Sequence, residues 1–332
     1  MSSTTNRSAA RRAYGRYAVR RLAQAVAVVL LAYVFTFLVI SVLPGDPVSN
    51  ILRDPQNNFS EQEIARIVAY YGLDQPLWVQ LSEALSRFVV GDLGVSLRSN
   101  LPVSGLLADV LPSTLRLAGA ALAVALVLAF AIAFGVRNLP APLARPLRAF
   151  PSLFLSVPNF LIGLLLIQWF SFQLGLFLVI DAESPWATFF AAVALGIPVS
   201  AQIAEVLIAN LDHEARQEYA AVARSRGLGR ARLFTAHLLK PSSLPVVTVV
   251  ALTVGELLGG SLITETIFGR NGVGNLVQRS VATQDLPVLQ AVVALAAVVF
   301  VVVNLVADLV YPLLDPRVRL DAAPAPKKEV SA

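Results

Sequence analysis

The sequence predicts an all-α integral membrane protein with six transmembrane helices, and three observations carry that prediction. The chain of 332 residues is 56% hydrophobic and only 14% charged, with a mean hydropathy of +0.70. Soluble globular chains are about 45–50% apolar and about 25% charged, so too little charge is present to cover a soluble surface. Several stretches of roughly 20 residues lack Asp, Glu, Lys and Arg, the length needed to cross a bilayer core of about 30 Å. The basic residues gather in alternate connections between those stretches, as a topology with a fixed orientation requires.

The spans follow in order. Residues 22–43 form the first run. It is longer than the apolar part of a secretory signal, and Leu43-Pro44-Gly45-Asp46-Pro47 is not a small-x-small cleavage site, so an uncleaved span is expected. The second is 117–136. The third lies within 149–180, too long for one upright helix and interrupted by Pro151 and Pro158. The fourth is 185–204, the fifth 241–264 with one acid, Glu256, and the sixth 286–307. These are continuous apolar runs, whereas a transmembrane β-barrel needs short alternating segments.

Orientation comes from Lys and Arg. Arg7, Arg11, Arg12, Arg16, Arg20 and Arg21 precede span one, and Arg137, Arg145 and Arg148 separate spans two and three. Arg216, Arg224, Arg226, Arg230, Arg232 and Lys240 separate spans four and five, and Arg317, Arg319, Lys327 and Lys328 follow span six. The loop 44–113 is instead rich in acids, among them Asp46, Asp54, Glu61, Glu63, Asp74 and Asp92. Both termini are therefore expected in the cytoplasm, with residues 1–16 and 321–332 as tails, the second of them disordered. The net charge of +5 fits this retention of basic residues and needs no nucleic-acid partner.

Two water-exposed segments are long enough to have work of their own. In the external segment 44–113, Ser60 with Glu63 makes a capping box, and Gly72 is placed to end that helix. Pro76 opens a second helix that stops at Gly91, and Pro102 a third that stops before Pro112. Short helices here serve as a structural lid on the spans, a docking surface for an external partner, or both. In the cytoplasmic segment 205–240, Ile208, Leu211, Ala215, Tyr219 and Val222 recur at helical spacing. Ser225-Arg226-Gly227-Leu228-Gly229 then breaks the chain, and Ala231, Phe234 and Leu238 share one face of a further amphipathic stretch. This pattern gives a helical hairpin with a glycine corner, and by itself it leaves open whether a partner sits on it.

The chemistry that is absent narrows the function classes. Without cysteine there are no disulfides, thiolate metal sites or cysteine nucleophiles. His213 and His237 stand apart, without ligand-like spacing, so no metal site and no cofactor is expected. Among Lys240, Lys327 and Lys328 none follows a glycine, so no Walker A loop exists, and no G-x-S-x-G or H-E-x-x-H pattern occurs. The chain is expected to be no enzyme. Glu256 is the one acid well inside a predicted span. Such a residue lines a water-filled path or serves as a structural partner for a neighbouring helix or a cavity water, because it is costly against lipid. Gln168, Gln202 and Asn304 are weaker candidates of the same kind, since amides in spans commonly bridge helices.

Ordered blocks along the chain resemble the permeases of binding-protein-dependent dipeptide, oligopeptide and nickel ABC importers. They are Leu43-Pro44-Gly45-Asp46-Pro47, Tyr71-Gly72-Leu73-Asp74-Gln75-Pro76-Leu77, Gly91-Asp92-Leu93-Gly94-Val95-Ser96, Leu111-Pro112-Ser113-Thr114-Leu115 and Ser156-Val157-Pro158-Asn159-Phe160. Glu218-Tyr219-Ala220-Ala221-Val222-Ala223-Arg224-Ser225-Arg226-Gly227-Leu228 is similar to the region of that family that meets the ATPase. It lacks the strict E-A-A opening of other ABC permeases, while Ala223 and Gly227 keep the pattern. Thr264-Glu265-Thr266-Ile267-Phe268, Gly272-Val273-Gly274, Asp285-Leu286-Pro287-Val288, Asn304-Leu305-Val306-Ala307-Asp308-Leu309 and Leu314-Asp315-Pro316-Arg317-Val318-Arg319 follow in family order.

The resemblance covers about residues 17–320 and implies a type I ABC importer permease fold in the bacterial inner membrane. It implies a second homologous permease, two ABC ATPase subunits and an extracytoplasmic substrate-binding protein as partners. Glu218, Tyr219, Ala220, Ala221, Ala223, Arg224, Arg226 and Gly227 would couple ATP hydrolysis by those partners to transport. Peptides are the implied cargo, with nickel chelates, haem or another small solute as alternatives. A secondary transporter driven by an ion gradient is the rival class, and Glu256 is its only support.

Overall fold

The computed structural model describes residues 3–42, 60–71 and 75–314. The expected blocks at 43–47 and 315–319, the glycine stop at Gly72 and the tail 321–332 lie outside the described residues. A bilayer core offers backbone N–H and C=O groups no water, so a spanning segment must close its hydrogen bonds within itself. Among the described residues the chain folds into helices, with one antiparallel bridge between Val95 and Pro102.

Helix α1 (Ser3–Val42) runs unbroken from the basic N-terminal stretch through the first span, so most of the expected tail 1–16 shares a helix with it. Helices α2 (Glu61–Tyr71) and α3 (Leu77–Val89) follow, then α4 (Val103–Asn138), α5 (Ala141–Ser156) and α6 (Asn159–Leu166), which widens into π-type turns over Ile167–Gln173. Helix α7 (Pro185–Glu214) leads to the short α8 (Glu218–Ser225) and α9 (Arg230–Leu233). A second π-type stretch (Phe234–Leu238), α10 (Leu239–Ser242), α11 (Leu244–Ile267), α12 (Val273–Ala282) and α13 (Leu286–Leu314) complete the chain.

Five straight stretches are long and apolar enough to cross a membrane: Val19–Val39, Val103–Asn138, Pro185–Glu214, Leu244–Ile267 and Leu286–Ala307. The pair of α5 with α6 and its π-type extension, bent by 100°, is long and apolar enough when taken together and, counted as one span, makes six. Its break lies at Val157-Pro158. Proline disfavours the helical region for the residue before it, and Val157 is extended (φ −101°, ψ 123°).

Three local expectations need correction. Pro151 does not interrupt the third run; it is buried within α5. The helix opened by Pro102 does not stop before Pro112 but continues to Asn138, because packing outweighs one lost backbone hydrogen bond. Val103, Leu107 and Val110 on its first turns are buried against Leu276, Val288 and Ala291. The amphipathic stretch through Val222 is not one helix. It ends at Glu214 and turns through Ala215–Gln217, where Arg216 N–H donates to His213 O (3.0 Å) and Gln217 N–H to Glu214 O (3.2 Å).

The core is built on α4 and α7, which pack along their lengths. Ala118, Ala121, Ala125, Ala129 and Ala133 of α4 recur at three- and four-residue spacing and are buried, as are Ala187, Ala191, Ala194 and Ala204 of α7. Lipid is as apolar as these side chains, so helices associate by close packing and need small residues at the seam. Helix α11 is the most central, touching α4, α6, α7, α12 and α13. Helix α1 is peripheral; it rests on α13 and exposes Leu22, Leu31 and Phe35.

Helix α2 is capped at its start, and the segment after span one is tied to the bundle at two points. Ser60 and Glu63 form the expected capping box, with Ser60 N–H donating to Glu63 Oε2 (2.8 Å) and Glu63 N–H to Ser60 Oγ (3.2 Å). Tyr33 of α1 stacks on Phe88 at 4.3 Å and donates to Ala84 O at 3.4 Å. Asp285, at the start of α13, accepts from Ser96 Oγ and from Leu97 N–H. These ties hold the segment against the bundle, while Leu77, Trp78, Val89 and Val90 remain exposed.

Candidate functional site

Helix α8 is held by two alanines. Ala220 (0% exposed) and Ala223 (6%) belong to the main core with Leu207, Leu211, Leu233, Phe234 and Leu238. Arg224 Nη1 donates to Ala215 O (2.9 Å), taking a carbonyl left free by the turn after α7. Tyr219 donates to Glu214 Oε2 (2.6 Å). Burial, and then that bond to a carboxylate, push its hydroxyl above the usual tyrosine range. The opposite side of α8 carries Glu218, Ala221, Val222 and Arg226 in the open.

Gly227 ends the helix at φ +82° with open space where a Cβ would stand. It serves conformation here, since the left-handed region suits glycine best. The eight residues expected to couple hydrolysis to transport are thus brought together, but they divide. Ala220 and Ala223 face their own bundle, while Glu218, Tyr219, Ala221, Arg224, Arg226 and Gly227 are exposed. Arg137 and Arg148 lie at this same end of the bundle and pair with Asp212 at 3.8 and 2.8 Å.

At mid-span, Gln202 Nε2 of α7 donates to Glu256 Oε2 of α11 at 3.0 Å. The residues of α11 left uncovered include Thr248, Leu252, Glu256, Gly259, Ile263 and Thr266, one strip at helical spacing along the whole helix. A charged side chain at the centre of a lipid-facing helix costs roughly 2.5–3.5 kcal/mol or more. The strip therefore faces protein or water. Gln168 and Asn304 are not part of this pair. Gln168 is exposed in the π-type turns after α6. Asn304 donates to Phe300 O of its own helix (2.8 Å) and lines a cleft between α1 and α13.

At the end of the bundle away from α8 lies a buried polar network to which the sequence assigned no role. Glu265 is 0% exposed. Its Oε1 accepts from Thr114 Oγ1 (2.6 Å), and its Oε2 from Gly274 N–H (2.8 Å) and Asn275 N–H (3.3 Å). The carboxylate thereby satisfies the free N–H groups that begin α12, and negative charge is favoured there. A Cβ on Gly274 would stand 2.3 Å from Leu262 Cα, so only glycine lets α12 approach α11 this closely.

Arg270 is likewise 0% exposed. It donates to Ala182 O (2.6 Å), Thr188 Oγ1 (2.8 Å), Ser113 Oγ (3.2 Å) and Glu183 Oε2 (3.0 Å). Arg116 also pairs with Glu183, at 3.1 Å. The network joins α4, α7, α11 and α12. Glu265 was missed because it stands one residue beyond the predicted end of span five. Ser113, Thr114, Glu265, Gly272, Gly274 and Asp285 were visible only as pieces of the resembling blocks.

An all-α bundle with a broken third span and a short helix seated on one end defines a class, and comparisons identify it. The binding-protein-dependent transport system inner membrane component family matches residues 111–320, and its N-terminal membrane component matches residues 15–118. The chain belongs to this family. It is a multi-pass inner-membrane protein and the permease subunit of an ABC importer, a transport component.

Among its relatives, the glutathione transport system permease protein GsiC of Escherichia coli K12 is 33% identical over 309 residues, covering 91% of this chain and 98% of that protein. The protein y4tP of Sinorhizobium fredii, named a probable peptide ABC transporter permease, is 31% identical over 316 residues, covering 92% and 99%. Two solved structures share the fold. The MetNI methionine ABC transporter in an inward-facing conformation has a TM-score of 0.53 at 17% identity, covering 63% of this chain and 96% of that one. An amino acid ABC transporter with histidines has a TM-score of 0.50 at 19% identity, covering 63% and 94%.

Proposed function

We propose that this chain is one of two permease subunits that enclose a path for peptides. An extracytoplasmic substrate-binding protein delivers the peptides, and two ABC ATPase subunits drive the cycle. Relatives named for peptide and for glutathione, itself a short peptide, support the cargo. The distribution of Lys and Arg supports cytoplasmic termini. It also supports α8 as the part that meets the ATPases, with 44–113 on the outer side and 321–332 as a tail inside.

The observation that carries the coupling role is the burial of Ala220 and Ala223 among side chains of α7 and α9. A helix so seated cannot be displaced alone. When the ATPases close, force on its open side is passed to α7 and, through α9 and α10, to α11. This is a two-state element biased by nucleotide. Glu218, Tyr219, Ala221, Arg226 and Gly227 form the contact surface, and Arg224 holds the turn to α7. In the path, the strip of α11 with Glu256 and Gln202 is the best-supported lining, while Gln168 and Asn304 are set apart from it.

Affinity purification of the tagged chain from mild detergent tests the assembly. A second permease and ATPase chains in stoichiometric amount are expected. A chain purified alone, yet moving solute in vesicles under an ion gradient, would overturn the reading.

A further inference from the structure

We propose that Glu256 is a charge-reading point in the path that favours solutes carrying a protonated amine, with Gln202 as the residue that positions its carboxylate. The inference rests on the path reading of the α11 strip and adds the chemistry that the strip recognises.

Glu256 lies at the middle of the 24-residue helix α11, and Gln202 at the corresponding depth of the 30-residue α7. The Gln202 amide binds Oε2 at 3.0 Å, and among the described residues no other group pairs with the carboxylate. No basic residue occurs in α11 or in the spanning part of α7. Along the uncovered strip the neighbours are Thr248, Leu252, Gly259 and Ile263, and nothing stands within 4 Å of where a Cβ on Gly259 would lie.

An amide partner orients a carboxylate without neutralising it. A carboxylate so oriented, with no basic residue beside it, offers a passing ammonium a charge-assisted hydrogen bond. A peptide supplies such a group at its N-terminus, and a lysyl side chain supplies a second. A glutamyl side chain supplies the opposite charge and is disfavoured.

The test uses the assembled importer in proteoliposomes with its binding protein at saturation. Initial uptake of lysyl-alanine, dialanine and glutamyl-alanine is compared for the wild type, Glu256→Gln, Glu256→Asp and Gln202→Leu. Loading of the binding protein is measured separately, and co-elution of the partner chains checks assembly. In Glu256→Gln, lysyl-alanine uptake is expected to fall about tenfold relative to glutamyl-alanine. Glu256→Asp should retain most of the wild-type preference, and Gln202→Leu should lose part of it. An equal fall for all three peptides would overturn the charge reading and leave the path role standing. Unchanged uptake of all three in Glu256→Gln would overturn both.

Discussion

At the scale of single residues, the end of the bundle away from α8 is organised by Glu265 and Arg270, both sealed from solvent. Hydrogen bonds to a charged group are worth about 1.5–3 kcal/mol. Glu265→Gln keeps the shape and removes the charge that faces the start of α12. It is expected to lower the melting temperature of the purified complex by several degrees, measured by thermal unfolding in detergent. Gly274→Ala forces a Cβ onto the backbone of α11, and overpacking of this kind costs about 1–3 kcal/mol. A comparable or larger loss is expected, and wild-type thermal stability in Gly274→Ala would refute the close approach.

At the scale of elements, α8 and the segment after span one behave differently. A Cβ at Gly227 would meet nothing within 4 Å, so at that atom the cost of Gly227→Trp is the left-handed backbone, about 1–2 kcal/mol. Insertion and assembly are expected to persist while ATP hydrolysis is uncoupled from uptake. Wild-type uptake per ATP in reconstituted vesicles would sink the coupling role of α8.

In the segment after span one, Tyr70 donates to Asp92 Oδ2 at 2.7 Å. That bond, followed by the Gly94 N–H, holds the Asp92 carboxyl below the usual carboxylate range. Burial, together with the Asp92 bond, pushes the Tyr70 hydroxyl up to about 12. The depressed carboxyl stabilises the segment above its unfolded value, about pH 4, and that contribution is lost as pH falls through the folded value. The raised hydroxyl contributes fully below about pH 10 and is lost as pH rises through about 12. Asp92→Asn should make one tyrosine ionise at lower pH in an ultraviolet titration, and an unchanged titration would refute the pairing.

At the scale of the whole molecule, topology is open to a clean test because the chain has no cysteine. Ser225 and Ser99 are both exposed, the first at the end of α8 and the second in the segment after span one. In right-side-out vesicles an impermeant maleimide is expected to label Ser99→Cys and to spare Ser225→Cys until the membrane is opened. The reverse pattern would invert the proposed orientation.

Periodicity and length made the spans legible, because crossing a bilayer leaves a signal in every residue of the crossing segment. The short motifs of the segment after span one were legible too, since Ser60 with Glu63 and Pro76 act on their immediate neighbours. Pro112 and Pro151 misled for the opposite reason. Their local cost as helix breakers was outweighed by contacts with residues distant in sequence, such as those of Val110 with the start of α13.

The amino-acid sequence by itself determined that this is a multi-span membrane protein, how its basic residues alternate between the connections, and which family blocks it carries. Each of these is written in local composition. Tertiary structure decided which faces those residues present. It turned Ala220 and Ala223 inward, set Gln202 against Glu256, and closed Thr114, Glu265 and Gly274 into one buried knot. These pairings join residues 54 and 151 positions apart. Only the packing of α4, α7 and α11 fixes which of their side chains meet.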